Sequence, residues 1–269
     1  MATEIISSTI ASTLKEDLLL RPPPPKPLYN FSMDSFQVLE PRSGSLGGFD
    51  KGNDSDYVGF SIQVNNGTSQ QQTKFIGNNC HSGTFNVGLA FNSVALADTD
   101  AVAVIATIVN SSSGEAATTK YLSSALSKLA SAAGQALGKY ATNEILTQAV
   151  KDEIGAAIGA TLGTAIVPVI GSALGALAGF LVGEAWGILF PNCDGPVAAS
   201  LFVYSGAELK AGTATAKPMV TTVNYPGTDS ADGCGDNSNY DATYRVVAVP
   251  SVSTVGERDT IIEKTPLKV

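Results

Sequence analysis

The chain has 269 residues, 44% hydrophobic and only 15% charged, with 27 glycines and a formal net charge of -8. That length supports one large or two modest domains with a real core, and the composition argues against a disordered chain. The acidic balance excludes nucleic acid as the natural partner and, at neutral pH, gives no attraction to anionic lipid.

Residues 1–30 read as an arm. The first twenty residues lack the basic start and long apolar stretch of a secretory signal, so a soluble protein without a leader is expected. Ile5, Ile6, Ile10, Leu14 and Leu18 fall on one side of a short amphipathic helix. Arg21 to Pro27, RPPPPKP, is a polyproline II spacer and carries the basic-xxPxxP pattern that SH3-type grooves recognise. Such an arm serves as a spacer, a detachable propeptide or an oligomer clasp.

Residues 31–115 turn to β character. FQVLEP, YVGFSIQVNN, TKFIGN, GTFNVGLAFNSVAL and AVAVIATIVN are short runs rich in Val, Ile and Phe, separated by Gly, Asn, Asp and Ser clusters. Residues 116–193 are helical by spacing, beginning with Thr118 to Gly138, where Leu122, Leu126, Leu129 and Leu137 recur at helical intervals. The strand signal returns over 194–255 in VAASLFVYSGAEL, MVTTVNY and ATYRVVAVPSV, and 256–269 is a tail. The expected class is α+β: an antiparallel β-sandwich interrupted by an α-helical insertion that contains an apolar hairpin.

That hairpin is the strongest signal in the chain. Gly155, Gly159 and Gly163, then Gly171, Gly175, Gly179, Gly183 and Gly187 keep one four-residue register, and no charged residue occurs from Ile154 to Gly183. Each helical glycine forgoes roughly 1 kcal/mol relative to alanine, so the register needs a compensating gain, and close backbone packing is the usual one. Small-xxx-small spacing in an apolar run is how helices meet inside a bilayer. Pro168 removes a helix hydrogen bond and divides the run into two arms, each with its glycines on one face. Lys151, Asp152 and Glu153 close the polar start of the first arm, while Glu184 is a carboxylate at depth in the second. Protonation of Glu184, Asp152 and Glu153 in acid would ease insertion, which makes them candidate pH triggers. A buried Gly/Ala-rich helix pair in a soluble core is the competing reading.

Chemistry of other kinds has little support. His81 follows Cys80, but chain neighbours point apart in a strand, and no nucleophile elbow, phosphate loop or zincin helix occurs. No enzyme is expected. Cys80, Cys193 and Cys234 allow at most one internal disulfide, and Cys193 with Cys234 would tie the hairpin exit to a β-domain loop. Asp50, Asp54 and Asp56 in GGFDKGNDSDY offer hard oxygen ligands for calcium, though Asp is also an ordinary turn residue.

Two functions follow. In the first, the sandwich sequesters the hairpin until it enters a lipid membrane and self-assembles into a homo-oligomer, with a surface receptor or glycan as a further partner. In the second, the chain is a structural or lectin-like binding module whose hairpin is permanent core or subunit interface. Over Ile154 to Cys193, a soluble body with a hidden apolar helical hairpin resembles colicin-like and other α-helical pore-forming toxins. The glycine register and β-rich flanks depart from the all-helical colicin pattern.

Overall fold

The structure, a computed structural model, describes residues 25–42, 54–139, 145–162, 195–227 and 238–250. Among the described residues, eight strands and three helices follow one another as β1 (Leu28–Glu40), β2 (Asp54–Val64), β3 (Gln70–Cys80), β4 (Gly83–Ala95), β5 (Ala101–Asn110), α1 (Glu115–Leu137), α2 (Gln148–Leu162), β6 (Gly195–Ser205), α3 (Gly206–Gly212), β7 (Met219–Pro226) and β8 (Asn239–Val249). All strand pairs are antiparallel, in two four-stranded sheets ordered β4-β1-β8-β7 and β3-β2-β5-β6. The sandwich-like α+β class is therefore present.

A third layer modifies the simple sandwich. Helix α1, with α2 packed against it, covers the outer face of the second sheet, so the central strands β2 and β5 are buried on both sides. Strand β5 shows the result, with all ten residues buried. Val102, Val104, Ala106 and Ile108 enter the core between the sheets, whereas Ala101, Ala103, Ile105 and Val109 enter the core beneath the helices. An unbroken apolar run is what such a doubly covered strand requires. Strand β1, with one covered face, alternates: Tyr29, Phe31, Met33, Phe36 and Val38 are buried and their neighbours are not.

Helix α1 supplies Leu122, Leu126, Leu129 and Leu137 to the core beneath it. It comes close to the sheet at Gly59, where an added Cβ would lie 2.9 Å from Leu126 Cδ1. On one flank the two sheets are laced together by side chains from β3: Lys74 Nζ donates to Val87 O at 2.5 Å and Gln72 Nε2 to Ala90 O at 3.0 Å. These donors also occupy backbone acceptors on edge strand β4.

One strand is shorter than its sequence suggests. The apolar run to Leu209 reads as continuous strand, but β6 stops at Ser205, whose hydroxyl accepts the Glu208 N–H at 3.0 Å and starts α3. Ser205 and Glu208 have the spacing of a capping box, and that local bond ends the strand.

The body has two poles. Leu28 of β1 faces Val249 of β8 at one, and the loop beside them is built around Asp100. Asp100 accepts Ala97 N–H at 2.7 Å, Lys26 Nζ at 2.9 Å and Asn65 Nδ2 at 2.8 Å. At the other pole Asn110 of β5 pairs with Gly195, the first residue of β6.

Candidate functional site at the carboxylate pole

Two aspartates open β2 at the second pole. Residues two apart on a strand share a face, and Asp54 and Asp56 both point inward, each 0% exposed. Of the three aspartates expected to offer calcium ligands, Asp54 and Asp56 stand at the start of the strand, which carries both carboxyls into the body. Asp54 Oδ2 accepts the Arg42 N–H at 2.6 Å and the Tyr240 hydroxyl at 2.6 Å, and its Oδ1 accepts Asn110 Nδ2 at 2.9 Å. Among the described residues, no group of three or more His, Cys, Asp or Glu side chains is placed to hold a metal ion. Asp50 lies outside the described residues.

The Tyr240 hydroxyl also stands 3.1 Å from Asp56 Oδ2. A phenol has one proton, and the shorter contact takes it to Asp54. Asp56 completes the chain when it is neutral, its Oδ2–H donating to the Tyr240 oxygen. Burial, then the negative charge of Asp54, pushes the Asp56 pKa well up, which keeps that proton in place. Asp56 Oδ1 has no hydrogen-bond partner among the described residues, and the Cys80 thiol adjoins the carboxyl. Burial, the largest cause, pushes that thiol up to about 12, so Cys80 is inert rather than nucleophilic.

Arg42 connects this cluster to the start of β6. Its Nη1 donates to Pro196 O at 3.2 Å, and its guanidinium lies so close to Gly195 that an added Cβ there would meet Nη2 at 3.1 Å. Gly195 also has φ +153°, a conformation that L side chains rarely adopt.

Other expected residues are distributed as follows. Gly155 is buried within α2, and Gly159 belongs to the same helix. Asp152 is half-buried and accepts Gln148 Nε2 at 2.7 Å, while Glu153 is exposed. Gly163, Pro168, Gly171, Gly175, Gly179, Gly183, Glu184, Gly187, Cys193 and Cys234 lie outside the described residues. So does the amphipathic segment expected before the prolines. Cys80 is a free, buried thiol, and His81 beside it is exposed.

Sequence reasoning missed Tyr240, Asn110 and Arg42. The one available signal was the two-residue spacing of Asp54 and Asp56 directly ahead of the apolar run in β2, which places both on one face of a strand.

The fold is thus a two-sheet antiparallel sandwich with a helical layer and a buried carboxylate pair at one end. No family model matches the chain, and neither a curated protein nor a solved structure matches it. Among the described residues no helix is long and apolar enough to cross a membrane.

Proposed function

We propose that the protein permeabilises membranes, with the sandwich as carrier of the apolar segment 163–194. The observation that carries this reading is where the segment is spliced in. On one side, α2 already packs through Ile154 and Ile158. On the other, β6 pairs with β5 from Gly195 to Ser205. Departure of the segment leaves every strand pair among the described residues in place. Its glycine register then serves contact between helices, and several copies assemble because one hairpin cannot enclose a channel.

The test is dye release from liposomes at pH 7.5 and pH 5, each with and without calcium and reductant. Trp186, the single tryptophan, lies in the segment and reports its transfer into lipid by a blue-shifted emission. Leakage that is lost in the Gly175→Ile/Gly179→Ile variant supports the proposal. A folded, monodisperse protein that leaves liposomes intact under every condition opposes it.

A second reading, a lectin-like binding module, has its own support in the outer face of the first sheet. There the strand register aligns Asn86, Ser35, Thr243 and Thr222 in one row and Thr84, Gln37, Asp241 and Asn224 in the next. Adjacent members bond to each other, Thr222 to Thr243 at 3.1 Å and Asn224 Nδ2 to Asp241 at 2.7 Å. Hydroxyl and amide rows of this kind suit a glycan. Binding to immobilised glycans that falls on Asn224→Ala would favour this reading.

A further inference from the structure

Helix α2 is held to the body by an apolar side and by an ion pair. Its apolar side, Val150, Ile154, Ala157 and Ile158, belongs to the core that α1 covers. Gln148, Ala149, Glu153 and Ala156 are exposed. A polar link to the sheet side runs through Lys151. Lys151 is only 9% exposed, with Nζ 2.6 Å from Glu208 Oε1 at the start of α3 and 5.5 Å from the centre of the Tyr204 ring on β6. Glu208 Oε2 has no partner among the described residues. This carboxylate thus depends on Lys151, and the ammonium depends on the carboxylate and the ring.

We infer that α2 opens from the body as a unit, and that the Lys151–Glu208 ion pair is its latch. A buried ion pair is poorly stabilising compared with an apolar pair of the same size, yet the loss of one partner strands the other charge. That asymmetry suits a latch, which holds while intact and gives way as a whole once one side is lost. Among the described residues, no α2 side chain lies in the core between the sheets, so the strands remain closed when the helix lifts. The inference deepens the membrane reading, since α2 leads directly into residues 163–194, but it is tested without lipid.

The experiment is native-state hydrogen exchange on the full chain, comparing α2 amides at 148–158 with those of β2 and β5. In the wild type, α2 should exchange through an opening of lower free energy than the strands. Glu208→Gln and Lys151→Met should each speed α2 exchange by about 100-fold and leave β2 and β5 unchanged. The double variant Lys151→Met/Glu208→Leu replaces the ion pair with apolar groups and should return α2 to near wild-type protection. Arg245→Gln, which breaks a surface pair with Asp34, serves as control. Exchange of α2 together with β5 in the wild type would overturn the inference, a result that needs no variant to fold. Unchanged α2 exchange in both single variants would overturn it too. Intact liposomes combined with a separately opening α2 would sink the membrane reading and leave the latch standing.

Discussion

Tyr240 of the first sheet and Asp54 of the second meet at 2.6 Å across 186 positions of sequence, and the hydroxyl that joins them also faces Asp56. The contact pins the two sheets together at the pole where β6 begins. A proton held by Asp56, whose pKa burial raises, would complete a chain from Asp56 through that hydroxyl to Asp54.

Asp56→Asn tests that proton. Because folding raises the Asp56 pKa, the folded chain binds the proton more tightly than the unfolded chain. The associated stability is whole below the unfolded carboxylate value of about 4 and is lost as pH climbs through the raised folded value. An asparagine amide can donate to the Tyr240 oxygen as the neutral acid does, without ionising. Urea unfolding from pH 4 to pH 9 should therefore show the variant gaining on the wild type as pH rises. A difference that stays flat with pH refutes the shared proton.

Tyr240→Phe removes the bridging hydroxyl and keeps the ring against Phe36. Asp54 loses a donor and Asp56 an acceptor, both in places water does not reach. The expected loss is about 1–3 kcal/mol, read as a lower urea midpoint with an unchanged slope. A midpoint equal to the wild type would mean that the hydroxyl contributes nothing to holding the sheets.

Asp100 has the opposite sign. Burial alone would raise its pKa, but the Ala97 N–H, Lys26 and Asn65 together outweigh burial and hold it below the ordinary carboxylate value. Its stability is present above about pH 4, the unfolded value, and is lost as pH falls through the folded one. Asp100→Asn should thus destabilise at pH 7 and progressively less toward pH 3. Neither Asp56 nor Asp100 loosens the body between pH 7.5 and pH 5. Melting temperatures at those two values should show no acid-induced collapse, and an acid trigger for leakage must then act elsewhere in the chain.

Gly206→Ala tests the closeness of packing at the Asp100 pole. An added Cβ would sit 1.9 Å from Ala97 O, a backbone atom that cannot swing aside. The cost should be about 3 kcal/mol, whereas Gly77→Ala, with nothing within 4 Å, should be near neutral. Equal melting temperatures for the two variants would contradict this geometry.

Much of the fold is legible in the sequence. AVAVIATIVN becomes β5 at the expected residues 101–110, and the leucine spacing of Thr118 to Gly138 marks α1, which begins three residues earlier at Glu115. Ser205 and Glu208 carried a helix-start signal too, but the surrounding apolar residues masked it as strand. The site was hardly legible: the residues that bury and bond Asp54 and Asp56 come from β5, β8 and the segment after β1.

The sequence by itself determined the strand–helix–strand order, the two-face periodicity of each element and the four-residue glycine register, because these depend on neighbours a few positions apart. Only the tertiary structure decided that two turn-like aspartates are buried, that one tyrosine spans both sheets, and that Lys151 is held by Glu208. Those outcomes depend on which strands become neighbours and which face the helices cover. Burial then sets the strength of each charge interaction, and no local pattern in the chain encodes burial.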